Sequence, residues 1–231
     1  MRYALLDWDN TIHRGYTIYG LTDHLVEKGI VAYGIHPILE RIKEAYRLQE
    51  ISYADYTLQT CETFAEALAG CSLEAYRAGV ASFVSENARH LFDEAEPLFT
   101  LLRRYQIEVY LVSGAPAEVL RAYAERFGFS GLFGFELEER DGTLTGKVAC
   151  NYGVDKARVL QLPTFQAPGA VHVLSMGDAV ADVPLLDHGR VAVIVGEGRL
   201  ALRMGARALR FGEKDWNLET MEKHLLTDAT R

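Results

Sequence analysis

The sequence predicts an α/β protein with a parallel sheet at its centre. Four short runs rich in β-branched and aliphatic residues, YALLD (3–7), IEVYLVS (107–113), VHVLSMGD (171–178) and VAVIV (191–195), read as strands buried on both faces. Helical patterns lie between them, among them APAEVLRAYAERFG (115–128) and DKARVLQL (155–162). That alternation is the signature of parallel strands joined by crossover helices.

One segment breaks the rhythm. Residues 13–92 contain no convincing strand but several amphipathic helical stretches, including HPILERIKEAYRLQ (36–49) and YADYTLQTCETFAEAL (53–68). This reads as a helical insertion after the first strand. It leaves residues 1–12 and 93–231 to form the core. In FELEERDGTLTGKV (135–148) two strand-like arms meet at Asp141-Gly142, a strong hairpin signal, expected beside the main sheet. The stretch LPTFQAPGA (162–170) reads as a loop.

Composition narrows the function. A chain of 231 residues, 49% hydrophobic and 24% charged, can bury one large core or a core with a small accessory domain. Its net charge of −8 argues against nucleic acid or an anionic membrane as the main partner. No apolar stretch approaches the roughly 20 residues of a membrane span. The three cysteines show no metal-binding or disulfide spacing. With no signal-peptide pattern at the N-terminus, a cytoplasmic location is expected.

The chemistry gathers at strand ends. Strand alternation aims Asp7 and Asp9 to one side and Trp8 to the other, into the core. The second strand ends in Ser113-Gly114 and the third in Gly177-Asp178, with Asp182 one helical turn on. Ligands of open α/β sheets bind beyond these carboxyl ends. Four carboxylates cannot share such a crevice fully ionised without cations, because like charges raise one another's pKa. Oxygen donors without neighbouring His or Cys favour Mg²⁺. Lys156 is a candidate for further positive charge, since it stands where the helix dipole disfavours a cation by roughly 0.3–1 kcal/mol. Lys147 in TGKV competes with it. Taken singly, Asp9, Asn10, Ser113 and Asp178 also suit the caps of the helices that follow their strands.

These motifs, in this order, resemble the haloacid dehalogenase (HAD) superfamily, in its phosphoserine-phosphatase-like branch with a helical cap. DWDNTI is similar to the family's D-x-D-x-T opening, VYLVSGAP to its second motif, DKARVL to its lysine motif and MGDAVAD to its G-D-x-x-x-D motif. The resemblance implies a Rossmann-like three-layer parallel core (1–12 and 93–231) with an inserted α-helical cap (13–92). It implies an Mg²⁺-dependent phosphomonoesterase that acts on a small phosphorylated metabolite through an aspartyl-phosphate. A phosphotransferase, or a binding module without turnover, is the alternative. Asp7 would be the nucleophile and Asp9 the general acid and base. Thr11, Ser113, Gly114 and Lys156 would hold the phosphoryl group. Asp7, the Asp9 carbonyl and Asp178 would bind the metal, with Asp182 close behind. Tyr16 stands where phosphoserine phosphatases carry a glutamate, and Ala181 where close relatives carry asparagine. The resemblance therefore implies a reaction class more firmly than phosphoserine as substrate. Tyr16 is a candidate contact to a substrate from the cap.

Overall fold

In a computed structural model, residues 1–203, 208–212 and 214–227 are described. The chain opens with β1 (Arg2–Leu6), followed by four helices: α1 (Thr17–Glu27), α2 (Ile35–Arg47), α3 (Tyr53–Ala67) and α4 (Leu73–Asn87). It returns to the core through α5 (Ala95–Arg104), β2 (Glu108–Pro116) and α6 (Ala117–Phe127). Next come the paired strands β3 (Gly131–Arg140) and β4 (Thr143–Asn151), a 3-10 turn (Lys156–Gln161) and the short α7 (Pro163–Gln166). The chain continues with β5 (Val171–Gly177), a second 3-10 turn (Val180–Asp182), α8 (Val183–His188), β6 (Val191–Val195), β7 (Leu209–Phe211) and α9 (Leu218–Thr227).

Among the described residues the sheet has seven strands in the order β4-β3-β2-β1-β5-β6-β7. All neighbours are parallel except β3 and β4. This is the expected Rossmann-like α/β core, and β1 lies centrally, as its fully apolar YALL requires. The order reverses on either side of β1. A crevice therefore opens at its carboxyl end, where Asp7 follows Leu6.

The hairpin is more than an accessory. β3 pairs in parallel with β2, so the hairpin extends the main sheet. Its turn residues Asp141 and Gly142 have φ of 54° and 75°, the backbone that matches strand twist in a two-residue hairpin. Three local expectations change. The DKARVL segment forms a 3-10 turn rather than an α-helix, and Pro163 at its end starts α7 inside the expected loop. β7, only three residues long, is too short to show a strand period in the sequence.

The four helices of 13–92 contain no strand of the sheet, as expected, but they do not stand apart from it. One apolar cluster runs from Leu21, Leu25 and Phe64 to Leu6, Trp8 and Leu111. The amide of Gly70 donates to the Leu144 carbonyl on β4, tying the helical segment to the sheet edge. No helix among the described residues is long and apolar enough to cross a membrane.

At the opposite face of β5, His172 is buried against Tyr3, with ring centroids 4.8 Å apart. Its Nδ1 is 2.8 Å from Nδ1 of His188 and its Nε2 is 2.8 Å from the Ser175 hydroxyl. Burial, with His188 adding to it, pushes its pKa down to about 3. The folded state thus binds this proton more weakly than the unfolded chain, where histidine titrates near 6.5. The stability due to neutral His172 is complete above that value and is lost as pH falls from about 6.5 towards 3, by at most about 1.4 kcal/mol per pH unit. Denaturant unfolding measured across this range should show the slope, and His172→Gln should flatten it.

Candidate active site

The loop after β1 sets the first groups. Asp7 continues the strand, its amide donating to the Met176 carbonyl at 3.0 Å. Asn10 then turns the chain with a φ of 57°, a left-handed conformation that asparagine tolerates. Its Oδ1 accepts the Gly15 amide at 3.1 Å and closes the turn. As the alternation required, Asp7 and Asp9 line one pocket while Trp8 is buried against Tyr123.

Lys156 is the centre of the charge cluster. Its Nζ donates to Asp7 Oδ1 and to Asp182 Oδ1, both at 2.6 Å. Lys156, Asp7 and Asp182 are 3%, 4% and 1% exposed, so the contacts form out of water. Burial alone would lower the lysine pKa, but Asp182 and Asp7 outweigh it and hold the ammonium charged. Lys147 is exposed on β4, which separates the two lysines considered from sequence.

Asp182 is fully engaged. Besides Lys156, its Oδ2 accepts the amides of Asp178 and Ala179 at 3.1 and 3.0 Å. That bond pattern ties the β5 loop to the lysine and leaves Asp7 and Asp178 with freer oxygens. Thr11 bridges those two, its hydroxyl lying 3.3 Å from Asp7 Oδ2 and 3.4 Å from Asp178 Oδ1.

One ligand oxygen from each of Asp7, Asp178 and Asp182 falls within 4.8 Å of the others. Burial, followed by the charges of Asp7 and Asp182, pushes the Asp178 carboxyl up to about 9. Such a group is short of positive charge, and a hard divalent cation held by oxygen ligands would supply it. The residues therefore fit Mg²⁺, with Asp7 and Asp178 as the available carboxylates.

Asp9 faces a different partner. Its Oδ1 accepts both the amide and the hydroxyl of Thr17, at 2.9 and 2.5 Å. Tyr16, at the N-cap position of α1, offers no side-chain cap, so Asp9 satisfies an otherwise open N–H of that helix. Burial raises the Asp9 pKa to about 7, against the Thr17 hydrogen bonds that favour its charged form. Trp8 Nε1 donates to the same Thr17 hydroxyl at 3.0 Å. Thr17 was missed in the sequence, where its only signal is a small hydroxyl residue at the start of an apolar helix.

Ser113 is buried at the pocket, its Oγ accepting the Ala115 amide at 3.2 Å, and Gly114 lines the pocket beside it. Two glycines outside the expected set make this packing possible. A Cβ on Gly153 would come within 2.4 Å of the Gly114 Cα, and one on Gly177 within 2.4 Å of the Asp182 side chain. Both are places where only hydrogen fits. Tyr16 reaches the pocket from the helical segment, together with Tyr53 and Tyr56. His13 does not line it. Its Nε2 meets Asn87 at 2.7 Å, and burial lowers its pKa to about 4, so it remains neutral.

The haloacid dehalogenase-like hydrolase model matches residues 4–187, and the chain belongs to that family. No curated protein sequence matches it. A protein of unknown function from Bordetella pertussis Tohama I has a similar structure, with TM-score 0.71 and 22% identity over 84% of this chain and 89% of that one. A phosphoserine phosphatase with a phospho-aspartyl intermediate analogue is similar at TM-score 0.64 and 18% identity, over 96% of this chain and 98% of that one. Cytosolic 5'-nucleotidase IIIB bound to cytidine is similar at TM-score 0.65 and 13% identity, over 99% of this chain and 86% of that one. At these identities the structural likeness speaks for the fold.

The two lysines give a direct test. Lys156→Met strands two buried carboxylates and should lower the unfolding free energy by about 3–5 kcal/mol. Lys147→Met should change it by less than about 0.5 kcal/mol. Adding Asp182→Asn to Lys156→Met should recover part of the loss in urea titrations at pH 7.

Proposed function

We propose that the protein is an Mg²⁺-dependent phosphomonoesterase that hydrolyses a small phosphorylated metabolite through an aspartyl-phosphate on Asp7. The observation that carries this reading is Asp7 itself: a buried carboxylate fixed by Lys156 on one oxygen and approached by Thr11 on the other. Such a carboxylate is poised for in-line attack rather than for solvation. The family match supports a hydrolase, and the phosphatases among similar folds agree with this reaction class.

In this mechanism Asp7 attacks phosphorus and the ester oxygen leaves. Asp9, held by Thr17, gives that oxygen a proton and later takes one from the hydrolytic water. Its raised pKa suits the first of these tasks. Ser113, the Gly114 amide and Lys156 hold the phosphoryl oxygens. Mg²⁺, held by Asp7, the Asp9 carbonyl and Asp178, would offset the negative charge shared by the phosphoryl group and the carboxylates. The helical segment 13–92 serves as a cap that excludes bulk water from the acyl phosphate.

Purified protein with Mg²⁺ should release phosphate from an aryl phosphate, and Asp7→Asn or EDTA should abolish that release. Undiminished turnover by Asp7→Asn would falsify the nucleophile assignment. A second measurement isolates the acid. Alkyl leaving groups need a proton and phenolate leaving groups scarcely do, so Thr17→Val should cost about 10- to 100-fold in kcat on an alkyl phosphate and much less on an aryl phosphate. Equal losses on both would remove Thr17 from the positioning of Asp9.

A further inference from the structure

The pocket has two unlike walls. Its floor carries the charges, Asp7, Asp9, Asp178 and Lys156. The opposite wall, supplied by α1, the residue before it and α3, is made of tyrosine, threonine, isoleucine and cysteine. Among the described residues lining the pocket, no charged side chain comes from that wall. Between the walls lies about 520 Å³ of empty volume, part of it open to solvent.

The tyrosines of this wall are braced. Tyr56 is buried, its ring stacked on Tyr46 at 4.7 Å and its hydroxyl 2.9 Å from that of Tyr19. Tyr16 meets Tyr56 edge-on at 6.4 Å, and Tyr53 lies 6.3 Å from Tyr56. Tyr16 remains 42% exposed, at the open end of the group. Burial raises the pKa of all three phenols, that of Tyr16 to about 12, so they stay neutral hydrogen-bond donors.

We infer that Tyr16, Tyr53 and Tyr56 select a phosphomonoester whose leaving group is compact, uncharged and flat or apolar on one face. The inference rests on the phosphatase reading above and specifies its substrate class. A phosphoamino acid brings an ammonium and a carboxylate that would both have to leave water. Against this wall the carboxylate meets no countercharge and also faces the acids of the floor, so its desolvation is uncompensated, while the rings offer the ammonium no more than a cation–π contact. An aromatic or aliphatic carbon skeleton gains contact with the fixed rings, and a hydroxyl can accept from a phenol.

The test separates the wall from intrinsic reactivity by using esters of alcohols alone: benzyl phosphate, O-phosphoserine and phosphocholine, with kcat/KM measured on each. Benzyl phosphate should be favoured over phosphoserine by about 100-fold. Tyr16→Ala and, separately, Tyr56→Ala should each shrink that ratio by about tenfold or more. Inhibition by inorganic phosphate, which reads only the floor, should stay within about threefold of its original Ki, so a variant that has merely lost its fold is recognised by losing that inhibition as well. Turnover with phosphoserine preferred would overturn the inference and leave the phosphatase reading intact. Preference for phosphocholine would overturn it in favour of a cation held by the rings. A ratio unmoved in both variants would remove the tyrosines from selection. If none of the three esters nor an aryl phosphate is hydrolysed, the phosphatase reading itself fails.

Discussion

The buried contact of Lys156 with Asp7 and Asp182 is the constraint around which the rest is arranged. Removing an ammonium and two carboxylates from water is costly, and the cost is offset only when each charge finds close partners. The structure meets that condition with two 2.6 Å contacts at Lys156 and two backbone amides on the far oxygen of Asp182. Asp7 arrives from the central strand β1, Asp182 from the turn after its neighbour β5, and Lys156 from the 3-10 turn that follows the hairpin. No two of these are close in sequence. The cluster can form only when the parallel pairing of β1 and β5 is complete, which makes the site a property of the finished sheet.

The same constraint explains the unusual backbone nearby. For Asp182 to reach back under Lys156, β5 must end in a residue without a side chain, because a Cβ on Gly177 would come within 2.4 Å of the Asp182 side chain. For the lysine turn to approach the end of β2, Gly153 must pass Gly114 almost in contact. The 3-10 form of Lys156–Gln161 belongs to the same geometry. Val159 and Leu160 are buried against the sheet while Lys156 points inward from its first position, and Pro163 ends the turn before it lengthens. A helix is disfavoured at the residue before a proline, so the segment does not extend beyond Leu162.

The strands β1, β2, β5 and β6 contain continuous apolar runs, and the ends of those runs displayed Asp7, Ser113 and Asp178 directly because strand alternation and α/β topology leave few other arrangements, although β2 itself continues past Ser113 to Pro116. Lys156 over Lys147 needed the family resemblance, for local periodicity treats both as ordinary helix or strand residues; burial against Asp7 distinguishes them only in three dimensions. Thr17, Gly153 and the bracing of Tyr56 by Tyr46 and Tyr19 were invisible. Each depends on contacts between segments whose relative placement no sequence pattern encodes. The tyrosines could be counted in the sequence, but their convergence on one wall could not.

Thr17 also joins two features that otherwise look separate. Its amide is the first of α1, and its hydroxyl receives Trp8 Nε1 while donating to Asp9. Asp9 therefore caps the first helix of the 13–92 segment, and the capping oxygen is the one held in place for the proposed proton transfer. A carboxylate at a helix N-terminus is favoured in its charged form, whereas its burial favours the neutral form. The two effects oppose one another at a single atom, and burial prevails in the structure as it stands. Any displacement of α1 from Asp9 removes the capping bonds and admits water together. Within the proposed mechanism, the placement of α1 and the protonation of Asp9 are therefore linked through the two Thr17 bonds, with burial and capping acting in opposite directions on the same carboxyl.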